Sequence, residues 1–293
     1  METGGSWCAC ALGRGPREIL AVERFPTRGP EETIERIVAF FTGAGRPRPR
    51  ALGVGAFGPV ELDESSPHWG ELLATTPKRG WAGTAIGSLL RDRLGVPLAL
   101  ESDVGAAALG ERRWGAGRGA PSLCYVTVGT GIGAALLHGG RLLRGLLHPE
   151  AGHLRIPHDW ERDPFAGSCP FHGDCWEGLA SGSALRARWE RSPESLDDAH
   201  EAWALEASYL AAGILAIVMI ATPHRVVVGG GVMQRSGLLH RVRGELARLL
   251  AGYPDRPELA GDLAGYLVAP ALGPRSGVLG ALALAQARLA GAA

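Results

Sequence analysis

The sequence has only one lysine, Lys78, among its 30 basic residues. These 30 basic residues are balanced by 30 acidic residues, so the formal net charge is zero. A chain without excess positive charge creates no broad field that attracts nucleic acid or an anionic membrane surface. We therefore expect a small-molecule ligand, and we expect neither nucleic acid nor a membrane as a partner.

Long apolar runs are also scarce. The most apolar stretch, from Leu210 to Ala221, is well short of the roughly 20 residues that span a bilayer. It therefore predicts a buried core helix. The segment from Met1 to Gly13 lacks the basic region and the continuous apolar region of a secretory signal. These features favour a cytoplasmic protein.

Strand-like and helix-like patterns alternate along the 293 residues. Strands are predicted over 51–58, 97–103 and 266–272, and helices over 30–45, 83–95, 195–221 and 276–290. Alternation of this kind predicts mixed α/β layers. The glycine-rich stretch 113–122 is the best candidate for a hinge between two domains.

Three clusters of glycine follow strand-like runs. They are Gly4 and Gly5, the stretch from Gly129 to Gly133, and the stretch from Gly229 to Gly231. Glycine at the end of a strand allows backbone N–H groups to approach a phosphate. One such cluster alone is more often a hairpin turn, but three in one chain favour phosphate binding.

One strand-like run ends on a carboxylate, Asp103, and leads into a small-residue helix. A carboxylate in this position suits a general base that takes a proton from a hydroxyl. The alternative is an ordinary helix N-cap, a position that aspartate favours. A base near a phosphate-binding loop is what phosphoryl transfer to an alcohol requires.

The five cysteines are too few, and odd in number, for a disulfide framework, and cytoplasmic thiols stay reduced. Two of them belong to a possible metal-binding set, which consists of His153, Cys169, His172 and Cys175. Zinc prefers four tetrahedral N and S ligands, and a site closed by four protein ligands is structural. The spacing Cys-x2-His-x2-Cys is not a common zinc-finger pattern, so a packed turn is the alternative. Glu150 and Glu177 flank this set and would be placed to hydrogen-bond a polyol if a metal fixed the loops.

Several motifs together resemble the bacterial ROK-family fructokinases, in particular their zinc-containing branch. The motifs are GAFGPVELD, TPKRGWAGT, VTVGTGIGAALLHGGRLLRGLLHPEAGH, DPFAGSCPFHGDCWEGLASG and GGGVM. This resemblance covers nearly the whole chain. It implies an actin-like ATPase (ribonuclease H-like) fold with two α/β domains around a central cleft. The implied bounds are 1–116 for a smaller N-terminal domain, joined by the C-terminal helix 277–293, and 117–276 for a larger domain with the zinc-binding and adenosine loops.

The resemblance also implies a reaction, in which ATP with Mg²⁺ phosphorylates the 6-hydroxyl of D-fructose in a homodimeric enzyme that contains structural Zn²⁺. A kinase for glucose, mannose or an N-acetylated hexosamine is the alternative within the class. A catalytically weakened sugar sensor is the alternative outside it.

The family's site residues can be carried over to matching positions of this chain. Asp103 matches the catalytic base, and His153, Cys169, His172 and Cys175 match the zinc ligands. The positions that match sugar contacts are Glu150, His153 and Glu177. Those that match the nucleotide loops are Gly4, Gly5, Ser6, Gly129, Thr130, Gly131, Gly133, Gly229, Gly230 and Gly231.

Three departures from the family pattern stand out. The family's first loop is typically Glu-x-Gly-Gly-Thr-Lys, whereas this chain has Ser6 and Trp7 at its last two positions. The family's Asp-x-Asp-Val-Asn is replaced here by a motif that ends on Gly105, which lacks the amide donor and acceptor of asparagine. These two changes lead us to expect reduced activity or an altered sugar preference. The family also has a strand before Glu2, so we expect either an upstream start of translation or an unpaired strand edge in a weakened N-terminal domain.

Overall fold

The computed structural model describes residues 1–291, which divide into two compact units. Unit 1 contains residues 1–119, 141–148 and those from 271 onward, and unit 2 contains residues 120–140 and 149–270. Each unit therefore combines segments that are far apart in sequence. The domain bounds drawn from the sequence stay a prediction.

Unit 1 is built on a five-stranded sheet in the order β3-β2-β1-β4-β5. The strands are β1 (Glu2–Thr3), β2 (Trp7–Gly15), β3 (Glu18–Pro26), β4 (Leu52–Ala56) and β5 (Leu98–Ser102). Strand β1 lies in the middle, antiparallel to β2 and parallel to β4. Strand β1 pairs with two of the nine residues of β2, Cys8 and Ala9, and the expectation about the N-terminal domain stays a prediction.

Four helices belong to unit 1: α1 (Pro30–Thr42), α2 (Ile86–Leu94), α3 (Asp103–Trp114) and α8 (Ser276–Leu289). Helix α8 packs against α3 and β4 so closely that two glycines are required. A Cβ atom at Gly53 would lie 1.7 Å from the carbonyl oxygen of Ala281, and one at Gly280 would lie 1.6 Å from that of Ala106. These contacts bring the backbones of α8, α3 and β4 together at the centre of unit 1.

A buried carboxylate, Glu111, connects α3 to the turn before α8. Its two oxygens accept hydrogen bonds from the backbone of Ala116, Ala271 and Leu272 and from the hydroxyl of Ser276, at 2.6, 3.1, 2.9 and 2.7 Å. The charge is thus offset by four donors, as a buried carboxylate requires.

Unit 2 contains a sheet in which the strand order is β10-β9-β6-β7. Its strands are β6 (Ser122–Val128), β7 (Ile132–His138), β9 (Val226–Gly229) and β10 (Leu267–Val268), and its helices are α4 (Trp176–Ala180), α5 (Gly182–Trp189), α6 (Ala202–Ala221) and α7 (Leu238–Leu250). Helix α6 is long and apolar enough to cross a membrane by length and composition. Because Leu210, Ile214 and Val218 are buried in the core of unit 2, we interpret α6 as the core helix that the sequence predicts.

Candidate active site and metal centre

Asp103 is the first residue of α3, and it follows directly on β5. The N-cap is not Asp103 but Ser102, whose hydroxyl accepts a hydrogen bond of 3.0 Å from the backbone N–H of Gly105. The N-cap interpretation of Asp103 is therefore wrong. Its carboxylate accepts a 2.7 Å hydrogen bond from the adjacent N–H of Val104.

A second carboxylate, Glu2, lies near Asp103 in unit 1. Burial raises the pKa of Asp103 to about 6. Burial, and after it the negative charge of Asp103, raise the pKa of Glu2 to about 7. The Glu2 carboxylate also lies against the start of α8, because a Cβ atom at Gly277 would be only 2.2 Å from the Cδ atom of Glu2. Two neighbouring carboxyl groups with raised pKa values are typical of a functional site.

The first glycine loop is the turn between β1 and β2. The backbone N–H of Gly4 donates to the carbonyl of Trp7 at 2.8 Å, and the hydroxyl of Thr27 donates to the carbonyl of Gly4 at 2.8 Å. Trp7 is 47% exposed, and the guanidinium of Arg24 lies 4.6 Å from its ring centroid. The position where the family has lysine thus carries an aromatic ring with a cation stacked on it.

The second glycine loop connects β6 to β7 and is fixed by Glu177 at the start of α4. The Glu177 Oε2 atom accepts a 2.8 Å hydrogen bond from the N–H of Ile132. The same oxygen atom explains why residue 131 is glycine, because a Cβ atom at Gly131 would lie only 2.2 Å from it. The sequence suggests a sugar contact for Glu177, whereas the structure shows that one of its oxygens supports the glycine loop.

The third glycine cluster follows β9 at the same edge of the unit 2 sheet. Strands β6 and β9 are parallel, with Thr127 opposite Gly229, so their carboxyl ends lie side by side. Gly230 has a φ of +99°, and a Cβ atom there would be 2.2 Å from the carbonyl oxygen of Val128. The sheet therefore brings the second and third glycine clusters to one edge, where parallel strands commonly bind ligands.

The four predicted metal ligands come together in unit 2. Their ligand atoms all lie within 4.8 Å of one another. The Nδ1 atom of His153 lies 3.6 Å from the Sγ atom of Cys169 and 3.6 Å from that of Cys175. The Nδ1 atom of His172 lies 3.2 Å from that of His153 and 3.8 Å from the Sγ atom of Cys169. The four side chains thus surround a common point.

These separations fit a tetrahedral zinc ion. With Zn–N bonds of about 2.0–2.1 Å and Zn–S bonds of about 2.3 Å, neighbouring ligand atoms of a tetrahedron are about 3.3–3.8 Å apart. Glu150 lies on the other side of the His153 ring, with its Oε2 atom 4.0 Å from Nε2. This distance is that of an ion pair and is longer than a hydrogen bond. The donor set and its geometry both suit zinc.

The structure groups the predicted residues within each unit. Unit 1 contains Asp103 and the first glycine loop, while unit 2 contains the other two glycine loops, both flanking glutamates and the Cys/His set. Glu2 was not predicted from the sequence as a partner of Asp103. The available signal was an acidic residue at a strand end immediately before a glycine loop.

Comparison with known proteins gives matches over nearly the whole chain. The family model described as "ROK family" matches residues 1–288. A putative fructokinase from Bacillus subtilis is 39% identical over 289 residues, which cover 99% of this chain and 95% of the relative. A fructokinase from Zymomonas mobilis is 41% identical over 296 residues, with coverages of 98% and 95%. Among solved structures, a ROK family glucokinase from Streptomyces griseus in complex with glucose and AMPPNP aligns with a TM-score of 0.77 at 28% identity and covers 97% of both chains.

Proposed function

The chain belongs to the ROK family and has the actin-like ATPase fold of its sugar kinases, and from this premise we propose that it is an ATP-dependent fructokinase. The reaction would transfer the γ-phosphate of ATP to the 6-hydroxyl of D-fructose. The observation that carries the proposal is the similarity, over nearly the full length, to proteins named fructokinase. The convergence of the Cys/His set beside Glu150 supports it. A cytoplasmic location and a homodimer stay predictions.

Asp103 would act as the general base of this reaction. Its carboxylate takes the proton from the 6-hydroxyl while the hydroxyl oxygen attacks the γ-phosphorus, and ADP leaves with the electrons of the broken P–O bond. Proteins catalyse phosphoryl transfer mainly by positioning the nucleophile and stabilising the phosphate charge. The position of Asp103 at the end of β5, with Ser102 as the helix cap, supports this role.

The glycine loops would hold ATP through their backbone N–H groups. Gly4, Gly5 and Ser6 would contact phosphate in unit 1, Gly129 to Gly133 would contact phosphate in unit 2, and Gly229 to Gly231 would pass along the adenosine. The Glu2 carboxylate, which lies near Asp103, provides oxygen atoms of the kind that Mg²⁺ prefers as ligands. When bound, Mg²⁺ neutralises the charge of the transferring phosphate.

The metal of the Cys/His set would be a structural zinc. Its four ligands leave no open coordination position, so it would not take part in the chemistry. Glu150 lies 4.0 Å from His153, and Cys175 directly precedes the helix that carries Glu177. These two glutamates and His153 would thereby be held for hydrogen bonding to fructose.

A coupled assay of ADP production tests the proposed function. With saturating ATP and a panel of fructose, glucose, mannose and N-acetylglucosamine, we expect the highest kcat/KM for fructose. A preference for another hexose would mean that the protein is a kinase for that hexose and not a fructokinase. Hexose binding in calorimetry without ADP production would support the sugar sensor.

The rate is also expected to depend on the protonation of Asp103. Because burial raises its pKa to about 6, the carboxyl group is protonated below about pH 6 and cannot accept the proton of fructose. We therefore expect protonation of Asp103 to lower kcat/KM for fructose by about tenfold per pH unit below about pH 6, in addition to any fall that protonation of Glu2 causes near pH 7. A rate that stays constant from about pH 7 to pH 4 contradicts the assignment.

Glu2 also titrates in this region, so a control variant is needed. The Glu2→Gln change removes the second carboxyl group but keeps the burial that is the main cause of the raised pKa of Asp103. We expect the Glu2→Gln variant, although slower, to keep the acidic limb of its pH profile. If the variant no longer loses activity at acidic pH, the fall in rate of the wild-type protein is due to Glu2.

A further inference from the structure

Gly105, where the family has asparagine, is not an open position. A Cβ atom at Gly105 would lie 2.6 Å from Cγ, 2.7 Å from Oε1 and 2.8 Å from Cδ of Glu101. The side chain of Glu101 thus fills the space that a side chain at residue 105 would take. Glycine has a lower helix propensity than alanine, so its presence in the first turn of α3 calls for such a cause.

The Glu101 carboxylate is engaged by residues on both sides. It is only 2% exposed, and its Oε1 atom accepts hydrogen bonds from the N–H of Ser102 at 2.8 Å and from its hydroxyl at 3.2 Å. Its Oε2 atom accepts a hydrogen bond from the guanidinium of Arg144. The hydroxyl of Ser102 in turn caps α3 through the N–H of Gly105. Residues 101, 102 and 105 therefore form one closed set of contacts around the start of α3, where Asp103 lies.

Arg144 belongs to the segment 141–148, which includes the short strand β8 (Arg141–Leu142) and belongs to unit 1. A second contact fixes this segment, since Nε2 of His148 accepts a 3.3 Å hydrogen bond from the N–H of Val60. The Arg144 side chain is 44% exposed, whereas the carboxylate it pairs with is buried. Removing the arginine would therefore leave a buried charge without its ionic partner, which is the costly way to break such a pair.

We propose that Glu101, paired with Arg144, is a positioning residue for Asp103 and replaces the side chain that Gly105 lacks. It acts through Ser102, the residue that directly precedes Asp103 and caps its helix. The proposal rests on the proposed function, in which Asp103 is the base. Because a misplacement of a reacting group by about 1 Å can cost about 100-fold in rate, the orientation of this turn matters for turnover.

The first test compares Glu101→Gln with a matched control, Glu111→Gln. Both changes neutralise a buried carboxylate of unit 1, but Glu111 contacts the turn before α8, not the start of α3. We expect Glu101→Gln to lower kcat with fructose by about tenfold or more, with KM for ATP unchanged. We expect Glu111→Gln to lower Tm with kcat unchanged. If Glu101→Gln lowers Tm alone and leaves kcat unchanged, the proposal is wrong.

The second test uses the steric coupling between residues 101 and 105. Gly105→Ala improves helix propensity, yet its Cβ atom would displace Glu101, so we expect kcat to fall by about tenfold. Glu101→Ala removes all three Glu101 atoms that this Cβ atom would meet. Because Gly105→Ala would act by displacing Glu101, we expect it to lower kcat by less than about threefold further in a Glu101→Ala background, a non-additive effect of residues in contact. Additive losses would overturn the proposal.

The outcomes also separate this proposal from the proposed function. If the wild-type protein makes no ADP from any hexose, the kinase function and the positioning role both fail. If the wild-type protein phosphorylates fructose and the Glu101 variants keep its kcat, only the positioning role fails. Loss of kcat in the single variants together with a non-additive effect in the double variant supports both.

Discussion

Replacing Asp103 with asparagine is expected to reduce fructose phosphorylation by about 100-fold or more, since a general base contributes about 10²–10⁴-fold to a rate. Asparagine has nearly the same shape but cannot take a proton from the 6-hydroxyl. The fold should not suffer. In the folded protein burial raises the pKa of Asp103, so its surroundings favour a neutral side chain at this position at neutral pH. Tm should thus be equal to or higher than that of wild type.

The measurement is kcat in the coupled ADP assay, with fructose binding by calorimetry and metal content as checks on the site. Both checks are expected to match wild type. Asp92→Asn provides a matched control, because Asp92 lies on α2 with its side chain 70% exposed and should retain full activity. An Asp103→Asn variant that keeps more than about a tenth of the wild-type rate would refute its assignment as the base.

The second large effect is expected from the double variant Cys169→Ser, Cys175→Ser. Serine hydroxyls do not replace thiolates as zinc ligands, and two of the four converging side chains would be lost. We expect about one zinc per chain in the wild-type protein and almost none in the variant. We also expect a clear fall in Tm and a large rise in KM for fructose, since Glu150 and Glu177 flank the ligands.

Cys124→Ser is the matched control, because Cys124 is a buried thiol of the same unit in strand β6. It should alter stability without loss of metal. Elemental analysis and thermal unfolding are compared for the three proteins. A wild-type enzyme that is metal-free and active would end the zinc proposal.

Patterns that are local in sequence allowed correct predictions. The helix expected over 30–45 is observed as α1, with Pro30 at its start and two acidic residues in its first turn. The resemblance to the ROK family is confirmed by the family match. The Cys/His set could be proposed because three of its members lie within seven residues. Helix α7 went unpredicted although its signal is present, with Leu238, Val242 and Leu246 at helical spacing on the buried side.

Features that depend on distant residues could not be predicted in this way. From the sequence, Gly105 can only be recognised as a position that lacks the family's asparagine amide. The fold shows in addition that Glu101 fills the space beside Gly105 and pairs with Arg144, which lies 43 positions after Glu101. Likewise, Glu177 reaches Ile132 across 45 positions. Such contacts follow from how the strands and helices pack, and no local pattern encodes them.

The close packing of α8 has a consequence for how the protein is made. Helix α8 covers α3 and β4, and Ser276 at its start bonds to Glu111 from 165 positions away. Domains tend to fold as units while the chain emerges from the ribosome. Unit 2 is fully synthesised before α8, so it can fold while the glycine-lined surface of unit 1 is still exposed. The last part of the unit that contains Asp103 is thus synthesised after all of unit 2, so the face of α3 and β4 that α8 covers stays exposed until then.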